Sequence, residues 1–123
     1  MSQFVLGTHK TLKAEADYSA KQYLVVKFGA AAGGCLLATA DTDLLVGVIQ
    51  NKPASGEGAD IPLDGTGLVI AGGTVAAGDY LTADSASKGV ATTTEDKQVF
   101  GICLAAGVVN DIVEYKPIMG TRP

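Results

Sequence analysis

His9 is the single histidine of this 123-residue chain, and Cys35 and Cys103 are its two cysteines. Nucleophilic or metal chemistry would have to be assembled from these three and the carboxylates. His9 lies in QFVLGTHKT with no serine or cysteine motif beside it, which reads as a surface histidine. No GxSxG occurs, and neither CxxC nor HxxxH spacing brings metal ligands together. The acidic pairs Asp41/Asp43, Asp79/Asp84 and Glu95/Asp96 have the chemistry for general acid and base work or for Ca²⁺. Each falls in or beside an expected turn, where aspartate hydrogen-bonds local backbone, and no twelve-residue calcium loop follows any of them. Gly56-Glu57-Gly58 and Gly65-Thr66-Gly67 complete no phosphate-loop pattern and open no helix. The expectation is a chain with no catalytic, cofactor or metal site, in which both cysteines act as small buried hydrophobes without a disulfide.

Composition narrows the partners. The net charge is −4 and the nine basic residues are scattered, so counterion release from a phosphate backbone has nothing to work with and no nucleic acid is expected. Aromatic residues make up 6%, too few for a base-stacking platform. No uncharged run reaches the roughly 20 apolar residues of a spanning helix, and the N-terminus lacks the charged-then-apolar plan of a signal peptide; the chain reads as soluble, unsecreted and without a membrane partner.

The elements that position these residues are short. Much of the hydrophobic content is alanine, there are 16 glycines, and runs such as YLVVKF (residues 23–28) are β-branched and aromatic, bounded by glycine. Strands are expected at residues 23–28, 35–39, 44–50, 59–63, 66–71, 79–83, 89–93, 99–105 and 111–115, with residues 44–50 apolar enough for burial on both faces. Asp64-Gly65 reads as a hairpin turn, and Gly47 and Gly101 as a bulge or bend within their strands. No segment offers a long amphipathic helix. The fold class is therefore all-β, a small glycine-rich barrel or sandwich.

Residues 75–104 repeat a pattern met upstream. AKQYL (residues 20–24) falls on AGDYL (77–81), setting Tyr23 on Tyr80. GCLLAT (34–39) then falls on GVATTT (89–94), VGVIQ (46–50) on FGICL (100–104), and ADI (59–61) on NDI (110–112). The offset slips from 57 to 51, which makes the second loop, residues 105–109, three residues shorter than residues 51–58. The domain plan that follows is an unduplicated arm or edge strand at 1–18, then one β domain at 19–123. That domain comprises a first unit (about 19–65), a linking strand (66–74), a second unit (about 75–116) and a C-terminal tail (117–123).

DYSAKQYLVVKF (residues 17–28), VGVIQNKPASGEGADI (46–61) and VIAGGTVAAGDYLTADSASKGVATT (69–93) resemble the capsid cement, or head decoration, proteins of tailed bacteriophages. The resemblance covers nearly all of residues 17–115. It implies a structural protein, in places of β-tulip-like fold, made in the bacterial host cytoplasm and bound to the outer face of the virion capsid. There it would stabilise the expanded shell, with the major capsid protein as partner and often as a homotrimer with an N-terminal arm. Phe4, Leu6 and Leu12 in the arm, Ile118 and Met119 in the tail, and Asn51, Lys52 and Pro53 in the loop are the expected contacts. Two rivals are a head-fibre base or carbohydrate-binding, host-attachment module using residues 51–58, and a small hydrolase or isomerase using Asp79.

Overall fold

The computed structural model describes residues 9–122. The elements are β1 (His9–Ala14), β2 (Val25–Phe28), β3 (Gly34–Leu37), β4 (Leu45–Val48), β5 (Gly58–Pro62), β6 (Gly67–Ile70), β7 (Tyr80–Ala83), β8 (Gly89–Ala91), β9 (Gln98–Cys103) and β10 (Ile112–Thr121). Nine of them fall on the expected runs, because a short β-branched stretch closed off by glycine has few other conformations to adopt. Two sheets of five strands result, ordered β4-β2-β3-β1-β5 and β6-β10-β9-β7-β8, and neither closes into a barrel.

The second sheet copies the first, strand for strand. Taking β1 to β5 onto β6 to β10, both sheets have the same cyclic order and differ only in where the circle is open. In the first, β4 and β5 are joined by the Gln50 N–H bond to the Asp60 carbonyl (2.9 Å). In the second, β8 and β6 meet only at the parallel bridge of Gly89 with Ala71. The correspondence reaches single hydrogen bonds. Ala14 N–H donates to Glu57 O and Gly56 N–H to Ala14 O, each at 2.9 Å; Ala71 N–H donates to Asp111 O (2.8 Å) and Asn110 N–H to Ala71 O (2.7 Å). Tyr18 N–H reaches Pro53 O as Val75 N–H reaches Gly107 O, both at 2.9 Å.

This register corrects the sequence alignment. Tyr23 N–H donates to Ile49 O as Gly78 N–H donates to Cys103 O, and both donors have positive φ (67° and 92°), so Tyr23 matches Gly78 and not Tyr80. Gln50-to-Asp60 recurs as Leu104 N–H to Glu114 O (2.9 Å), which sets Ile61 on Tyr115 and makes the two loops equal in length. The offset stays near 54 from β3 to β5. Shared letters had pulled the alignment off register.

Three further expectations change. Residues 9–14 are neither an arm, an edge strand nor unduplicated: β1 lies inside its sheet, parallel to β3 and antiparallel to β5, and its counterpart is β6, the supposed linker. Asp64-Gly65 closes no hairpin, because β5 and β6 belong to different sheets. The C-terminal tail is not separate from the second unit, since β10 runs on to Thr121 with a register shift between Pro117 and Gly120. Proline is tolerated there because β6 begins at Gly67, opposite Tyr115, so Pro117 has β9 alone as a neighbour.

Nine buried residues form the core of the first unit: Leu12, Ala14, Tyr18, Val26, Cys35, Val46, Ile49, Ala59 and Ile61. Eight of their counterparts, among them Val75, Phe100, Cys103 and Tyr115, lie in the second unit's core. The ninth, at Cys35, is Gly89, where a Cβ would stand 3.1 Å from Phe100 Cζ. Volume is thus conserved by exchange: Val46 becomes Phe100 and Ile61 becomes Tyr115, while Tyr18 shrinks to Val75 and Cys35 to glycine. Phe100 and Tyr115 pack edge to face with centroids 5.1 Å apart.

The units interlock where the second sheet is open. Lys13 N–H bonds Gly33 O directly (2.8 Å) in the first unit. At the same place in the second, the lead-in to β2 is wedged between the partners: Ile70 N–H donates to Tyr23 O (3.0 Å) and Val25 N–H to Ser87 O (2.7 Å). Beside it the Gln50 amide takes both backbone groups of Leu68, at 2.9 and 3.1 Å, which covers the edge of β6. Val25, Ala38, Leu45 and Val48 join the second unit's core, and β4 is buried along its whole length, as its apolar run predicted.

Candidate functional site

Each expected acidic pair has at least one carboxylate occupied by turn backbone or by a lysine, or lies at a turn. Asp43 Oδ2 accepts from Thr39 N–H (3.0 Å) and lies 3.6 Å from Lys27 Nζ, while Asp41 lies 3.5 Å from Lys97 Nζ. Asp79 Oδ2 accepts from Ala76 N–H, and Asp84 Oδ1 from Ala86 and Lys88 N–H, all at 2.9 Å. Asp96 is a turn residue with positive φ (68°). The repeat contains the same device twice, with Glu57 accepting from Ala54 N–H and Asp111 from Val108 N–H. Glu15 does comparable work across elements. Its carboxylate accepts from Ala30 N–H (3.1 Å) in the β2–β3 turn, where side chains at Gly29 and Gly34 would displace it.

His9 is not a bare surface histidine. It is partly buried, and its Nδ1 lies 2.7 Å from Asp60 Oδ1 on the neighbouring strand. Asp60 N–H also donates to Asn51 Oδ1 (3.0 Å), and Asn51 Nδ2 to Gly58 O (2.9 Å), so the pair belongs to the network that fixes residues 51–58. Cys35 and Cys103 are free and buried in separate clusters. Burial first, then the Glu15 charge, pushes the Cys35 thiol up to about 11. Burial also raises Cys103, against a bond to the Ala105 carbonyl. Among the described residues, no three His, Cys, Asp or Glu side chains converge as metal ligands would.

The expected contact residues scatter. Leu12 and Pro53 are buried inside the fold, Asn51 is spent on its own loop, and Ile118 is half-buried. Lys52 and Met119 are exposed. Phe4 and Leu6 lie outside the described residues.

What the sequence did not single out is the outer face of the second sheet. Val69, Val113, Tyr115 and Cys103 point inward and are buried, so Ile70, paired with Ile112, and Ile102, paired with both Lys116 and Tyr80, point outward. Leu104 (41% exposed) and Ile112 (55%) lie on this face, and Val108 and Val109 on the adjoining turn are also open. The Arg122 guanidinium lies over the Tyr80 ring at 5.4 Å. Only the strand register reveals this grouping, since no continuous run of sequence contains it.

No protein-family profile matches the chain, and neither does any curated protein. Among solved structures it is similar in fold to the N base of head fiber gp8.5 in bacteriophage phi29, with a TM-score of 0.67 and 18% identity over 94% of this chain and 98% of that one. That likeness shows the fold.

Proposed function

We propose that this protein is a structural component carried on the outside of a phage head, where it binds the major capsid protein and stabilises the expanded shell. The observation that carries the reading is the end-to-end likeness of fold to a head-fibre base. The sequence resemblance of residues 17–115 to head decoration proteins points the same way from separate grounds. The turn acids support it too, because carboxylates committed to backbone N–H groups serve rigidity rather than turnover. Many copies of a modest contact on one shell bind by avidity, so a small surface per copy suffices.

The identity of the fold's relative favours a second reading, a head-fibre base that marks an attachment point without reinforcing the shell. Expanded shells lacking the protein, mixed with the purified chain and heated, separate the two. A cement protein binds at many sites and raises the temperature of shell rupture; a fibre base binds and leaves that temperature unchanged. Absence of binding to any expanded shell would remove both.

A further inference from the structure

We infer that the outer face of the second sheet seats a second copy of this chain. The duplication provides its own control. The positions of Ile70, Leu104, Val108, Val109 and Ile112 are occupied in the first unit by Lys13, Gln50, Ala54, Ser55 and Gly58; Gln50 and Leu104 keep the same backbone bond, to Asp60 O and Glu114 O, while the Lys13 and Ile70 N–H groups differ in acceptor. Folding of the unit therefore does not require apolar side chains there.

In the first unit the fully buried apolar residues of this face are ones that the second unit covers. Val25 and Val48, the counterparts of Tyr80 and Ile102, are buried against the second unit, while Lys13, Gln50 and Asp60 around them are polar. Apolar residues on the outer face thus mark contact with another β unit of the same kind. The second unit's patch adjoins that internal interface directly, since Leu68 and Ile70 are the residues that Gln50 and Tyr23 hold. Charges of both signs lie among and beside these residues, Glu114 between Leu68 and Leu104, Lys116 opposite Ile102, and Lys88 bonded to Asn110 at 2.7 Å. A face with both signs is complementary to itself, which suits a second copy better than a partner of a single charge.

The test uses the purified full chain in sedimentation velocity over a concentration series. The native protein is expected to associate, and the double variant Ile70→Lys/Leu104→Gln, which installs the first unit's own residues, to associate about tenfold or more weakly. Circular dichroism melting checks that the variant stays folded, and Val109→Ser, at an exposed turn position, gives an independent reading without touching a strand. A native chain that remains monomeric at ~100 µM, where micromolar contacts are populated, overturns the inference. So does a folded variant that associates like the native chain, or a loss confined to shell binding, which would assign the face to the capsid.

Discussion

The ring of Tyr115 lies against the backbone of Gly101 on the neighbouring strand, in the space a side chain there would fill; a Cβ would also stand 2.7 Å from the Lys116 carbonyl. In the first unit Gly47 faces Ile61 in the same way, its Cβ position 2.6 Å from Ile61 Cγ2. Both glycines make room for the largest inward side chain of the last strand. Gly101→Ala is expected to cost about 1–3 kcal/mol in urea unfolding, the usual range for overpacking. Part of this loss should return in a Tyr115→Leu background, and a strictly additive double variant would show that the ring is not the obstacle.

Asn110 carries a φ of 70° at the position where the first unit has Gly56 with a φ of 85°. Asn110→Gly should stay within a few tenths of a kcal/mol of native stability, whereas Asn110→Ala should lose about 1 kcal/mol, because a Cβ without a local hydrogen-bonding group is disfavoured in the left-handed region. Thermal melts of the two variants measure the difference.

Because β1 lies between β3 and β5, its removal strips partners from two strands at once. A chain starting at His9 should unfold cooperatively, and one starting at Glu15 should show no cooperative transition. The loss of structure expected on deleting residues 1–14 reverses the arm reading, under which the β domain would survive the loss of its first thirteen residues.

How much of this was legible in the sequence differs by level. Strands β2 to β9 and the first half of β10 were readable because each is a brief run with β-branched or apolar residues beside a glycine or polar turn, whereas Pro117 concealed the continuation of β10 to Thr121. HKTLKA was not, since Leu12 and Ala14 alone are buried among lysines and its pairing is entirely long-range. The existence of a repeat was readable, but its register was not: the two cores exchange Tyr18 for Val75 and Ile61 for Tyr115, and letter identity misleads when volume is what is conserved. The apolar outer face collects residues from β6, β9 and β10, and no linear pattern could have assembled it.

Alkaline pH should weaken the fold. The Cys35 thiol is held up to about 11, and burial raises the Tyr115 hydroxyl as well. The folded chain keeps these protons at pH values where the unfolded chain releases them, so the Cys35 contribution is complete well below its ordinary value of 9.0 and is lost as pH climbs toward 11, while the Tyr115 contribution begins to fall only near its ordinary value of 10.0. Urea midpoints taken at pH 8, 9, 10 and 11 should fall steadily, and Cys35→Ala should flatten the early part of the decline. At pH 8 neither thiol should react with an aromatic disulfide reagent until the chain unfolds.

The wedge formed by Tyr23 and Val25 also limits growth. A modular array extends when every module offers the next one the socket it was itself fitted into. Here the socket exists once: Tyr23 and Val25 occupy it in the second unit, and in the first the Lys13–Gly33 bond has shut it. A third module arriving at that end would find no vacancy, so the joint that unites the pair is not offered a second time by the first unit.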